Sequence, residues 1–385
     1  MCRRSGDICG REASVERRKY GLRARLSAVK HLLHAIVRAA GGRSFAKRVR
    51  LAGARFDDPA GDEFRGAWLD AGVAGEIRKF TAPGPEFEEF DPSIAAQHPP
   101  RAKLLAYYLP QFHEIPENNE WWGKGFTEWT NVARAAPRFA GHYQPRIPRD
   151  LGFYSLDDAA VLRRQAKLAK AAGIHGFCFY YYWFGRRRLL EKPLDLLLAN
   201  PDIDIDFCLL WANEPWTRRW DGAEDRVLMP QDYGEHTDEA FVDELARHFR
   251  DRRYIRIDGR PLLVVYRFRS IPGGGERAAR WRALFRERHG EEPLVFMAQT
   301  GDDDDPRAYG LDGAIEFPPR RLAGDTAIPE DRLRLLDRDF HGRVHSYDAV
   351  ARRYVANRPT DFPLIKSVLP SWDNDARLPG GGFVI

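Results

Sequence analysis

Within Trp211–Gly222, WANEPWTRRWDG, the residues Asn213, Glu214, Trp216, Arg218, Arg219, Trp220 and Asp221 crowd into a few positions. A carboxylate can act as acid, base or hydrogen-bond acceptor, and guanidinium forks fix its orientation. The indoles offer flat apolar faces. Sugars need that mixture, because a pyranose has apolar C–H faces and a rim of hydroxyls. The same residues could equally form a structural Arg–Glu pair beneath a loop, with the tryptophans as packing. The cluster follows Phe207–Trp211, a short apolar run of the kind that makes a strand buried on both faces.

Seven such runs follow Pro100: Lys103–Leu109, Gly176–Tyr182, Phe207–Trp211, Leu262–Tyr266, Leu294–Ala298, Gly313–Phe317 and Leu364–Leu369. Helical patterns separate most of them. In Asp157–Ala172, Asp157 or Ser155 can cap the start, Val161, Leu162, Ala166, Leu168 and Ala169 supply a buried side, and Gly173 ends it. Glu239–Arg250 and Glu276–His289 are two more. Strands alternating with helices imply parallel pairing, and so many in succession favour an α/β fold of the (β/α)8 barrel type. No glycine-rich phosphate loop follows the first strand, which counts against a nucleotide-binding doubly wound sheet.

Barrels of this kind place their sites at the carboxyl ends of the strands. The residues there are Gln111, Phe112 and His113; Tyr180, Tyr181, Tyr182 and Trp183; Asn213 and Glu214; Arg267; Gln299 and Asp302; Glu316; and Trp372, Asp373 and Asn374. Each alone has a structural explanation: His113 as a satisfied loop histidine, the tyrosines as packing, Glu316 as the partner of an arginine. Together they repeat one polar and aromatic change at one end of every strand.

The chain is long enough for one large domain with an appendage or for two ordinary domains, and the first is favoured. Its formal charge of +5 is concentrated in the first fifty residues, so it describes a basic tail and not a nucleic-acid-binding protein. Tyr20–Ala40 reads as a basic amphipathic helix, suited to packing on a domain or partner or to weak contact with an anionic membrane surface. Asp57–Pro100 reads as a loosely ordered linker. Residues 1–100 are thus expected to form a helical extension and 101–385 the barrel. Cys2, Cys9, Cys178 and Cys208 show neither a disulfide framework nor a metal spacing, and no signal peptide or membrane span is evident. A cytoplasmic protein without cofactor or metal is expected.

The stretch Tyr107–Val132, YYLPQFHEIPENNEWWGKGFTEWTNV, is long and distinctive. With GFCFYYYWF at Gly176–Phe184, RRLLEKPLD at Arg187–Asp195, WANEPWTRRWDG, EFPP at Glu316–Pro319 and SWDNDAR at Ser371–Arg377, it closely resembles the WbsX family. That family is the bacterial branch related to glycoside hydrolase family 99, found in O-antigen and capsule gene clusters and sometimes labelled glycosyltransferase. The resemblance spans Lys103 to about Arg377. It implies a barrel acting on a mannose-like or deoxyhexose-containing oligosaccharide or polysaccharide.

Two departures shape the expectation. Pro215 replaces another polar residue of the family's WANEN, which stiffens the loop after Glu214. The family's eighth strand ends in an NEWxEG motif that supplies the catalytic pair of the family 99 hydrolases, and no such motif occurs before Ile385. The resemblance therefore implies a truncated, seven-stranded barrel with little glycosidase turnover. Hydrolysis normally needs two placed carboxylates. Glu214, Asp373 and Glu316 are the candidates for catalysis. His113, Trp122, Glu128, Tyr181, Trp211, Asn213, Arg218 and Trp372 are the candidates for sugar contacts. The competing readings are a carbohydrate-active enzyme, by hydrolysis or transfer, a glycan-binding protein without catalysis, and a non-functional fragment.

Overall fold

The computed structural model describes residues 73–385 apart from 82, 85–86, 219–222, 235–236, 302, 320–322 and 357–358. The amphipathic stretch Tyr20–Ala40 and most of the expected linker lie outside the described residues. From Val73 onward the linker region carries two short helices, Val73–Lys79 and Ile94–Gln97. The first of these is anchored: Glu76 is buried, accepts a hydrogen bond from the Gly141 amide at 2.8 Å and pairs with Lys79.

All seven expected strands form. They are β1 (Leu104–Tyr108), β2 (Ile174–Phe184), β3 (Asp206–Trp211), β4 (Arg260–Val265), β5 (Leu294–Gln299), β6 (Gly313–Glu316) and β7 (Leu364–Ile365). They pair in sequence order, every pair parallel. Between them run α1 (Pro116–Trp122), α2 (Glu128–Arg134), α3 (Ala159–Ala171), α4 (Lys192–Ala199), α5 (Thr237–Phe249), α6 (Gly274–His289) and α7 (Tyr347–Ala356). The cap of α3 is Asp158, whose carboxylate accepts from the Ala160 amide at 2.8 Å, and not Asp157 or Ser155. Ser155 donates its hydroxyl to Asp157 instead.

The sheet curls into an incomplete barrel. Tyr107 on β1 reaches across the interior to the far side, its ring 5.2 Å from Phe317 and its hydroxyl donating to the Glu316 carbonyl at 3.4 Å. Tyr266, just past β4, meets the same Phe317 at 4.8 Å. Two glycines permit the close spacing: a Cβ at Gly176 would lie 2.5 Å from the Asp206 carbonyl, and one at Gly313 would lie 2.5 Å from that of Pro363. Side chains alternate across each strand, so the long aromatic strand β2 has two different faces. Tyr180 and Tyr182 point inward, 6.4 Å apart and stacked. Phe177, Phe179 and Tyr181 meet residues of the outer layer, Tyr108, Phe207 and His248. Cys178 and Cys208 face each other in register as free, buried thiols.

A second, smaller core lies in the C-terminal part of the chain. Phe139, Phe340, Val344 and Val384 form it, and Arg343–Val344 pairs in parallel with Phe383–Val384. Asp375, fully buried, accepts from Arg138 at 2.7 Å, and Arg138 also binds Asp337 at 2.6 Å. That arginine fastens the final segment to the chain between α2 and α3.

Candidate functional site

Several strand ends contribute to one polar and aromatic cluster. Gln111, two residues beyond the first strand's expected end, donates its amide to the Tyr182 hydroxyl at 2.7 Å. Its carbonyl oxygen accepts from Arg377 at 2.8 Å. Arg377 also forks onto Glu128, at 2.8 and 3.1 Å, and Asn131 donates to the same carboxylate at 3.3 Å. Glu128 opens α2 behind its cap Thr127, so the helix start holds the carboxylate where the fork can reach it. Burial would depress the charged state of Arg377, but the Glu128 charge and hydrogen bond outweigh it and raise its pKa. The Tyr182 hydroxyl is driven well above its ordinary range, first by burial, with Arg377 and Gln111 opposing and the charges of Glu128 and Glu214 adding to the rise. Tyr182 therefore stays protonated and can donate.

Trp216 forms the aromatic wall beside Tyr182. Its ring lies 5.2 Å from Tyr182, 5.9 Å from Phe184 and 5.7 Å from Trp121. Glu214 follows β3, its side chain 37% exposed, and pairs with Arg267 at 2.5 Å. Asn213 is fully buried and spends its amide on structure. It accepts from the Arg267 amide at 2.8 Å and donates to the Arg267 carbonyl at 2.9 Å, so it holds the backbone that presents the Glu214 partner.

The other expected residues fall elsewhere. Tyr181 and Trp211 are corrected from cleft to helix layer: Trp211 packs on Phe241 of α5 and Trp281 of α6, and Tyr181 on His248 of α5. The strand period puts them opposite Tyr180 and Tyr182. Trp122 is half-buried, 6.0 Å from Phe126, and its neighbour Trp121 joins the aromatic wall instead. His113 is 1% exposed, with neither ring nitrogen in hydrogen-bond geometry, and burial lowers its pKa, opposed by Asp157. Arg218 ends a strand, Trp216–Arg218, paired with Ala223–Met229.

The three candidate catalytic carboxylates have three separate sets of partners. Glu316, 1% exposed, faces the edge strand, where Lys366 binds it at 2.5 Å and the Ser367 amide donates at 3.0 Å. Asp373 accepts from His142 at 2.9 Å and Gln144 at 2.6 Å. The Trp372 backbone pairs with Ile385. Of the contacts that organise the cluster, those of Arg377 and Trp216 had a signal in the sequence, since both lie inside the distinctive motifs. Trp121 was hidden beside Trp122. Among the described residues no three His, Cys, Asp or Glu side chains are grouped to hold a metal ion.

Fold and site define an α/β half-barrel that gathers aromatics and two carboxylate–guanidinium pairs at the carboxyl ends of its strands. The profile of the family described as Glycosyltransferase WbsX matches residues 104–385, and the chain belongs to that family. It is 46% identical over 283 residues to protein WxcX of Xanthomonas campestris pv. campestris strain B100, and 45% identical to that of strain ATCC 33913. The match takes in 74% of this chain and 40% of each relative, so the chain spans about two fifths of their length. Among solved structures, the GH99 endo-alpha-mannosidase of Bacteroides thetaiotaomicron aligns at 14% identity and a TM-score of 0.41 over 72% of each chain. A glycoside hydrolase-like protein aligns at 14% and 0.43, over 80% of this chain and 79% of its own.

Proposed function

We propose that the chain is a carbohydrate-active protein of bacterial surface-polysaccharide assembly or processing, working in the cytoplasm on a glycosidic bond. The observation that carries this is the joining of Gln111, Glu128, Tyr182 and Arg377 in one hydrogen-bonded network beside the Trp216 ring. A sugar ring stacks on Trp216 and Trp121. A hydroxyl takes the Tyr182 donor, and Glu128, its oxygens bonded by Arg377 and Asn131, holds Arg377 in place beside it. Glu214, the most open of the three candidate carboxylates, is the acid or base, oriented by Arg267. Glu316 and Asp373 act as supports, each already satisfied by its own partners.

Non-catalytic glycan binding is favoured by one specific feature: Glu316 and Asp373 are sealed at 1% exposure of their side chains, which leaves Glu214 without an equally open second carboxylate among the three. Titration calorimetry with α-mannoside oligosaccharides tests the shared cleft. Trp216→Ala should weaken binding by about tenfold or more, and undiminished affinity would refute the cleft. Product analysis then separates the readings, since turnover abolished by Glu214→Gln supports an enzyme and binding without turnover supports a lectin-like role.

A further inference from the structure

A cavity of about 510 Å³ lies in the C-terminal part of the chain, and none of Gln111, Glu128, Tyr182, Trp216 and Arg377 lines it. That volume falls in the range of small-ligand sites. His341, Arg343 and His345 line it. They occupy alternate positions of one extended stretch around the strand Arg343–Val344, so the three side chains share a face. The stretch deepens along its length: His341 and Arg343 are exposed and His345 is buried.

Hydrogen bonds fix the tautomer of both rings. Thr326 donates its hydroxyl to the Ala323 carbonyl at 2.6 Å, so its oxygen accepts from His345 Nδ1 at 3.0 Å. The hydrogen of His345 is then on Nδ1, and Nε2 presents a lone pair. That atom is buried and has no hydrogen-bond partner. Burial, aided by the Arg343 charge, lowers the pKa of the ring and keeps it neutral at physiological pH. His341 likewise donates from Nδ1 to the Asp339 carbonyl at 2.9 Å, so Nε2 is the acceptor of its neutral form. Between the two, Arg343 makes no ion pair among the described residues.

Glycine lines the opposite side. A Cβ at Gly381 would lie 3.0 Å from His341 Nε2, so a side chain there would crowd the nitrogen the groove exposes. Four residues of extended chain put the two histidines about 13 Å apart, a span that exceeds an inorganic ion and suits a saccharide of two or so units.

We propose that this groove is a second saccharide site, for an oligosaccharide that carries an oxyanion. The carboxylate or phosphate seats on the Arg343 fork, and hydroxyls on either side donate to His341 and His345. The choice of a saccharide rests on the proposed function. The choice of an oxyanion flanked by hydroxyl donors rests on the groove itself.

Titration calorimetry on the full chain tests it with four probes: a glucuronic-acid-containing disaccharide, glucose 1-phosphate, maltose and inorganic phosphate. At least one acidic sugar should bind about tenfold or more tightly than both maltose and inorganic phosphate, and which one does so identifies the carboxylate or the phosphate as the anion. Arg343→Ala, at an exposed position, should remove that preference, Arg343→Lys should retain part of it, and Glu128→Gln in the cleft should leave it intact. Nitrogen resonances of the histidine rings should show the His345 Nε2 signal moving on binding. No binding of either acidic sugar, equal binding of maltose or phosphate, indifference to Arg343→Ala, or loss through Glu128→Gln would each overturn the proposal. Neutral mannosides and Trp216→Ala report on the cleft separately, so either site can fail without the other.

Discussion

Asp373 shows how a residue singled out for chemistry can be absorbed by structure. His142 Nδ1 accepts from the Arg138 amide at 3.1 Å, so its Nε2 carries the hydrogen and donates to Asp373, beside the donor from Gln144. Burial pushes the Asp373 pKa up, but these bonds and that of the Asp375 amide outweigh it, and the pKa falls below its ordinary 3.8. A carboxylate whose folded pKa is depressed stabilises the fold above the unfolded value, and that stabilisation is lost as pH falls through the folded one. Asp373→Asn should therefore cost about 1–3 kcal/mol near neutrality. Urea midpoints of the two proteins should differ at about pH 7 and draw together at about pH 3. A gap unchanged with pH would refute the charge-assisted account. The residue type was legible in SWDNDAR, but its partners, some 230 positions earlier, were not.

At the scale of elements, periodicity predicted where strands and helices fall and left open which face of each turns to the barrel interior. Strand β2 is apolar or aromatic on both sides, so nothing in YYYWF distinguishes Tyr181 from Tyr180 and Tyr182. Only packing against α5 does so. The cap of α3 is a similar case. Three oxygen-bearing side chains precede the helix, and extended backbone at Asp158, φ −118° and ψ 122°, selects that residue. Asp158→Ala should lower stability by about 1 kcal/mol, within the usual 0.5–2, while Ser155→Ala should cost less. Thermal unfolding of both variants checks the order, and a larger loss at Ser155 would contradict the assignment.

The sheet is held in its curl by contacts between strands far apart within it. Tyr107 is the clearest, touching Tyr180 next to it and Phe317 across the interior. It is 38% exposed, so Tyr107→Ala should cost less than a fully buried aromatic, about 1–3 kcal/mol. Tyr107→Phe, which keeps the ring and loses only the hydroxyl's hydrogen bonds to the Glu316 carbonyl and Ser367, should cost less, about 1 kcal/mol. Urea denaturation separates them, and equal losses would mean the ring does not brace the curl. From sequence alone came the seven parallel strands, the alternation with helices, the family and the end of the sheet where polar and aromatic residues gather, because local periodicity and motif spacing are properties of neighbours along the chain. The tertiary structure decided that Glu128 is tied by Arg377, that Asn213 props a backbone, that Glu214, Glu316 and Asp373 have separate partners, and that His341, Arg343 and His345 line a groove. Those pairings join residues up to 249 positions apart, as Arg377 and Glu128 are. Long-range pairing depends on how the sheet curls and which strand faces turn inward, which no local pattern encodes.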